Sequence, residues 1–177
     1  MIIRGTKISG RPFRKPITPP ATSFSVDGLK LHSIDLSPLS QFPNLQHLYL
    51  DYNHFSHIDL QPLSTLPDLQ ILDLTENKLQ SINLTPLQHC PNLHNHYLDR
   101  NKLTKIDLSP LRHTSQLAEL CLNNNNLTSV DLTPLKNLSL YHLPLNDNQL
   151  DTIDLTPLKH ISTLISLDLT NNNIQKT

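Results

Sequence analysis

The chain has 177 residues, enough for one domain that buries its own core, and its two cysteines exclude a small scaffold held together by many disulfides. No apolar run is long enough to span a bilayer, and Arg4 follows the first three residues at once, so neither a membrane helix nor a secretory signal is predicted. These features favour a cytoplasmic protein, and secretion of a processed chain stays open as the alternative.

Charge divides the chain into two parts. Five of its 14 basic residues fall in the first fifteen positions, where no acidic residue occurs: Arg4, Lys7, Arg11, Arg14 and Lys15. The rest has nine basic and 15 acidic residues, a formal charge of −6. We predict a basic, proline-rich arm over residues 1–20 and an acidic domain over residues 21–177. The arm is expected to cover the apolar end of that domain, and a disordered contact segment or a targeting signal are the alternatives.

The acidic domain is built from a repeated unit of 24 residues. A degenerate unit around Phe24 and Val26 comes first, and a partial unit begins at Leu164. Between them, five full units begin at Leu45, Leu69, Leu93, Leu117 and Leu140, and the fourth is one residue shorter. Such a period predicts a solenoid in which each unit packs against its neighbours along the chain.

Each unit divides into a strand half and a turn half. The alternation in its LxL segment predicts a short strand with both leucines in the core, as for Leu48 and Leu50. A recurring asparagine follows, and we interpret it as structural because its amide both donates to and accepts from a turning backbone. In the second half, Ser-Pro or Thr-Pro predicts an N-cap, with proline at the first position of a short α or 3-10 turn. The aspartate before it suits the helix dipole, and Cys90 falls in a core position.

The opening LxxLxLxxNxL of each unit resembles the leucine-rich-repeat family, from about Phe24 to the C-terminus. The unit is most similar to the short intracellular repeats of the phosphatase-regulator type, although it is two residues longer. The resemblance implies an α/β fold: a right-handed, horseshoe-shaped solenoid with a concave parallel sheet and short α or 3-10 turns on the convex side. It also implies that the recurring asparagines form a structural ladder.

Tyrosines and carboxylates gather on the predicted concave face. Large amphipathic side chains among charged ones are typical of binding hot spots, and the carboxylates favour a basic or polar protein partner. The alternative is a solvated face that binds nothing in particular. The candidate partner-binding residues are Tyr49, Asp51, Tyr52, Asp73, Tyr97 and Asp99.

Signatures of catalysis and of cofactor binding are missing from the sequence, which has no glycine-rich phosphate loop, GxSxG, HExxH or CxxC. We expect no catalytic residue, cofactor or small-molecule substrate. Cys121, with Glu119 on its own strand and His142 on the next, suggests a nucleophilic thiol, but no pocket accompanies it. The ten histidines are scattered, so no metal site is expected. The acidic domain argues against nucleic acid, and a membrane partner is not expected.

Three hypotheses for function remain. The first is a non-catalytic module that binds a protein on its concave face. The second is a recognition or regulatory domain of a larger receptor, kinase or ligase, suggested by the end at Thr177 half a repeat in. The third is a structural protein that forms a homodimer through an uncapped last strand near Leu167.

The third full repeat departs from its own pattern twice. His96 stands where the other full repeats have leucine, and Thr114 stands where a core residue such as Leu66 is expected. Burial of an imidazole disfavours its charged form, so we predict a lowered pKa for His96 and a repeat that acid loosens first.

Overall fold

A computed structural model describes residues 1–175, so Lys176 and Thr177, the last two residues of the predicted repeat domain, lie outside the described residues. The first two strands, β1 (Ile2–Lys7) and β2 (Pro12–Pro16), form an antiparallel hairpin, and β1 also pairs with β4 (Leu31–Asp35). The hairpin turns Ile3 and Ile17 into the core. The boundary between arm and repeat domain at residue 20 stays a prediction.

Within residues 1–175, the seven remaining strands form one parallel sheet, in which each of them lies beside the next one along the chain. Each is three residues long and is centred on an inward residue, as the strand 47–49 is on Leu48. The strands are β3 (Ser23–Ser25), β5 (His47–Tyr49), β6 (Ile71–Asp73), β7 (Asn95–Tyr97), β8 (Glu119–Cys121), β9 (His142–Pro144) and β10 (Ser166–Asp168). From β5 to β7 the register follows the 24-residue period, so Leu48 pairs with Leu72 and Leu72 with His96.

Among the described residues the outer wall consists of six short 3-10 turns, one in the first, degenerate unit and one in each full unit. They are η1 (Ser37–Gln41), η2 (Gln61–Thr65), η3 (Thr85–His89), η4 (Ser109–His113), η5 (Thr133–Leu135) and η6 (Thr156–His160). The predicted architecture, an unclosed parallel sheet with short turns behind it, is thus confirmed.

The predicted cap of these turns is wrong. A leucine holds the N-cap position, as Leu108 does in η4, and makes no side-chain cap hydrogen bond, while Ser or Thr and Pro begin the turn itself. The aspartate one position earlier does the capping, because its Oδ1 accepts the backbone N–H two residues on, as Asp107 does from Ser109 at 2.9 Å. The repeated aspartate therefore accepts a specific backbone hydrogen bond, which a favourable interaction with the helix dipole does not by itself predict.

The core lies between the sheet and the turns and is almost entirely leucine. The recurring asparagines of the five full repeats are buried, and they satisfy the backbone where the chain leaves the sheet. In the third full repeat, Asn101 Nδ2 donates to the carbonyls of Leu74 and Leu98 at 2.9 and 3.1 Å, and its Oδ1 accepts the N–H of Leu79 at 3.0 Å. Because a turning backbone would otherwise leave these groups unpaired in the core, the asparagine ladder is structural, as predicted. Across residues 1–175, no helix has the length and apolarity needed to cross a membrane.

Candidate functional site

The outward side chains of the sheet form rows that run across the strands. Tyr49, Asp73 and Tyr97 are in register on β5, β6 and β7, so the structure brings these three predicted residues into one row. Neighbouring strands lie ~4.8 Å apart, which places the two tyrosines roughly 10 Å from each other on either side of the carboxylate. Both tyrosines are half-buried by their neighbours on the sheet.

Asp51 and Asp99 lie one row further along, on either side of Thr75. Burial raises the pKa of Asp51 above its usual range, and the carboxylates of Asp73 and Asp27 add to this effect. Burial also raises the pKa of Asp99, with a smaller contribution from Asp73 and an opposing one from the Thr75 hydroxyl, which donates at 3.0 Å. Asp73 therefore lies close enough to repel both Asp51 and Asp99, although burial is the larger cause of each shift.

A hydrogen-bonded group fixes the ring of Tyr97. Its hydroxyl donates to Glu119 Oε2 at 2.9 Å, and Asn95 Nδ2 donates to both the hydroxyl and Glu119 at 2.8 and 2.7 Å. Burial, followed by the Glu119 carboxylate, raises the pKa of Tyr97. Asn95 holds the first outward position of β7, which also carries Tyr97, and Glu119 holds the same position of the neighbouring strand β8. Neither was among the predicted partner-binding residues.

Tyr52 does not lie on a strand. It occupies the turn that follows β5, with a φ of 51° and 55% of its surface exposed. The equivalent turn positions in the next two repeats are Glu76 and Arg100, which form an exposed ion pair of 2.9 Å. Tyr52 thus lies at the rim of the face, beside the row of Asp51 and Asp99 but apart from the other two tyrosines.

Cys121, the candidate nucleophilic thiol, is buried. It is 8% exposed, although it holds an outward position of β8. Burial and the negative charge of Glu119 raise the pKa of the thiol, and its Sγ lies 3.6 Å from Glu119 Oε1. A nucleophilic cysteine needs the opposite shift, so the arrangement of Cys121, Glu119 and His142 does not favour thiolate chemistry.

No group of three or more histidine, cysteine or acidic side chains is arranged to hold a metal ion within residues 1–175. The features that the face offers are instead aromatic area, fixed hydroxyls and crowded carboxylates. Of these, aromatic side chains are enriched in protein–protein interfaces.

Comparison with known proteins agrees with this architecture. A family model described as leucine rich repeat matches residues 43–96. Internalin C2 of Listeria monocytogenes strain 4b F2365 is a similar solved structure, with 32% sequence identity and a TM-score of 0.64 over 80% of this chain. The chain has the leucine-rich-repeat fold.

The likeness to internalin C2 is partial, since this protein spans 59% of the length of that chain. No curated protein matches the sequence of the present chain. Leucine-rich-repeat folds generally mediate protein–protein interaction. The more detailed assignment to short repeats of the phosphatase-regulator type stays a prediction.

Proposed function

We propose that this protein is a non-catalytic interaction module that binds a basic or polar protein partner on its concave face. The observation that carries the proposal is the row formed by Tyr49, Asp73 and Tyr97, with the carboxylates of Asp51 and Asp99 beside it. Tyrosines supply large contact areas at a low cost in side-chain entropy, and they are enriched among the residues that dominate binding energy.

The crowded carboxylates determine the sign of the partner's charge. Because Asp51 and Asp99 are half-buried and repelled by Asp73, each is stabilised when a cation approaches. A lysine or arginine side chain that lies between the two tyrosine rings would relieve this repulsion and also gain contact with the ring faces. We therefore expect the partner to present a basic side chain at the centre of its contact surface, with polar groups around it.

The double substitution Tyr49→Ala and Tyr97→Ala tests this proposal. We expect it to weaken partner binding by about 2 kcal/mol, close to thirtyfold, while the fold is retained because neither ring is part of the leucine core. The measurement is quantitative capture of binding proteins from a lysate by the wild-type chain and by the variant. Tyr141→Ala is the matched control, since Tyr141 is exposed and lies outside the candidate site. Equal capture by the double variant and the control would contradict the proposal.

A second candidate is self-association through β10, and the exposed apolar surface around that strand favours it. Among residues 1–175, β10 pairs with β9 on one side only, and Ile165 beside it is 74% exposed. We expect a concentration-dependent dimer in light scattering that Ile165→Asp abolishes. A wild-type chain that remains monomeric at high concentration would exclude this candidate. Membership of a larger receptor, kinase or ligase and a cytoplasmic location stay predictions.

A further inference from the structure

A second row of aligned side chains runs along the flank of the solenoid, at the position that directly follows the ladder asparagine in the full repeats and follows Leu29 in the first, degenerate unit. It contains Lys30, His54, Lys78 and Lys102. The backbone shows that these residues are equivalent, because the N–H of each of the last three donates to a carbonyl of the preceding unit. The distances are 2.7 Å from His54 to Leu31, 3.0 Å from Lys78 to Phe55 and 2.9 Å from Lys102 to Leu79.

The N-terminal hairpin extends the same row by one layer. The N–H of Ile8 donates to the carbonyl of Lys30 at 3.0 Å, and Lys7 is in register with Leu31. Ile8 therefore lies beside Lys30 at the end of the row. We call Lys30, Lys78 and Lys102 the basic flank.

Two features make the basic flank available to a partner. Lys30, Lys78 and Lys102 are exposed, and in the part of the chain that the structure describes no carboxylate lies within 4 Å of any of the three ammonium groups. The ion pairs found there belong instead to Arg100, which contacts Glu76 and Asp99. Lys78 and Lys102 thus lie on adjacent units and Lys30 lies two units before Lys78, and among the described residues none of the three has an acidic partner within 4 Å.

We propose that the basic flank binds an acidic α-helix of a protein partner, one that presents a single stripe of glutamate or aspartate. The repeat spacing supports a helix over a strand. Successive units are ~4.8 Å apart at the sheet, and one helical turn advances ~5.4 Å, a difference of about 2 Å over three intervals that lysine side chains absorb. An extended segment repeats the same face every ~6.6 Å. Over three intervals its mismatch with the solenoid is roughly 5.4 Å, which is more than the ~4.8 Å spacing of one unit.

The distribution of charge favours such a helix over a nucleic acid. The row of Asp51 and Asp99 runs parallel to the basic flank, only three positions away along the chain. A polyanion with charge on all sides would meet these carboxylates as well as the lysines. An amphipathic helix directs its carboxylates to the lysines alone and turns another face to the aspartates.

A synthetic helix provides the test, and the test does not depend on the proposed concave site. The probe is a fluorescently labelled alanine-rich peptide with glutamates spaced three and four residues apart on one face. Its control has the same composition with the glutamates distributed around the helix. In low salt, anisotropy should show binding of the one-face peptide about fivefold tighter than that of the control.

Variants of the full chain locate the contact. Lys78→Ser with Lys102→Ser should weaken binding of the one-face peptide by about three- to tenfold, because each exposed ion pair contributes little by itself. Lys136→Ser with Lys159→Ser removes the same charge from exposed positions of the outer wall and should leave binding unchanged. His54→Lys completes the row and should tighten binding by about twofold. Tyr49→Ala with Tyr97→Ala should have no effect, so failure of the concave site and failure of this proposal are distinguishable.

Three results would overturn the proposal. The first is equal binding of the two peptides, and the second is equal weakening by the two lysine pairs. The third is tighter binding of a single-stranded oligonucleotide than of the one-face peptide with the same dependence on Lys78 and Lys102, which would assign the basic flank to nucleic acid instead.

Discussion

At the residue scale, His96 is the least favourable feature of the core. It is fully buried, and its Nδ1 lies 3.1 Å from the carbonyl oxygen of Leu72, so Nδ1 carries a proton and donates it to that oxygen. Its Nε2 is buried without a hydrogen-bond partner. Burial lowers the pKa of His96 to about 4, as the sequence predicted in direction. A proton on Nε2 would therefore add an unpaired charge to a leucine core.

Acid should destabilise the protein through this residue. Because the pKa of His96 is lower in the folded state than in the unfolded state, the unfolded chain binds more protons than the folded chain between pH ~6.5 and about pH 4. Above pH 6.5 the protonation of His96 does not reduce the free energy of unfolding. As the pH falls from there to about 4 this free energy decreases, by roughly 2 kcal/mol at pH 5. We expect His96→Leu to raise the melting temperature, and to raise it about 4–8 °C more at pH 5 than at pH 8.

His94→Leu is the matched control, since it removes an exposed imidazole from the same repeat and should show no such difference between the two pH values. If His96→Leu has the same effect at both pH values, or lowers the melting temperature, then His96 is not a strained core position.

At the element scale, the 3-10 turns of the outer wall depend on the carboxylate that precedes them. In four further units an aspartate Oδ1 accepts the N–H of the first turn residue at 2.8–2.9 Å, and in the second full unit Asn83 takes its place at 3.0 Å. An amide oxygen thus accepts this backbone hydrogen bond at nearly the same distance as a carboxylate oxygen. The hydrogen bonds of the Ser109 backbone and hydroxyl lower the pKa of Asp107, which shows that its charged form also interacts favourably there.

These turns provide a graded prediction. Asp107→Ala removes the acceptor of the Ser109 N–H and should lower the melting temperature by about 1–4 °C. Asp107→Asn keeps the acceptor and should lower the melting temperature clearly less than Asp107→Ala does, as the natural Asn83 indicates. The measurement is thermal unfolding of both variants at pH 7. A loss with asparagine as large as that with alanine would show that charge, and not the hydrogen bond, stabilises the turn.

At the scale of the whole molecule, the hairpin protects one end of the solenoid in two ways. Its inward face places Ile3 and Ile17 on the core of the first unit. Met1 and Ile17 exchange backbone hydrogen bonds of 2.7 and 3.0 Å, so by antiparallel alternation Pro12, Arg14 and Pro16 direct their backbone away from β1. Because proline has no N–H, two of these three outward positions cannot donate to an added strand.

The sequence alone determined the parts of this protein that depend on the period of the chain. Translation by one unit places equivalent residues in neighbouring strands, so the parallel sheet, the leucine core and the asparagine ladder followed from the spacing of the repeats. The same translation predicted that Tyr49, Asp73 and Tyr97 share a face. The row of Lys30, Lys78 and Lys102 was present in that spacing too, but its meaning depends on exposure and on the lack of acidic neighbours.

Only the tertiary structure decided how deeply each side chain lies and which groups it meets. Cys121 has the same strand position as the half-exposed Asp73, yet its neighbours bury it, because coverage depends on the size and rotamer of side chains on the adjoining strands. Tyr52 lies at the rim because the chain turns with a positive φ directly after Asp51. The aspartates, and not the serines and threonines, cap the turns because hydrogen-bond geometry, and not residue type alone, selects the acceptor.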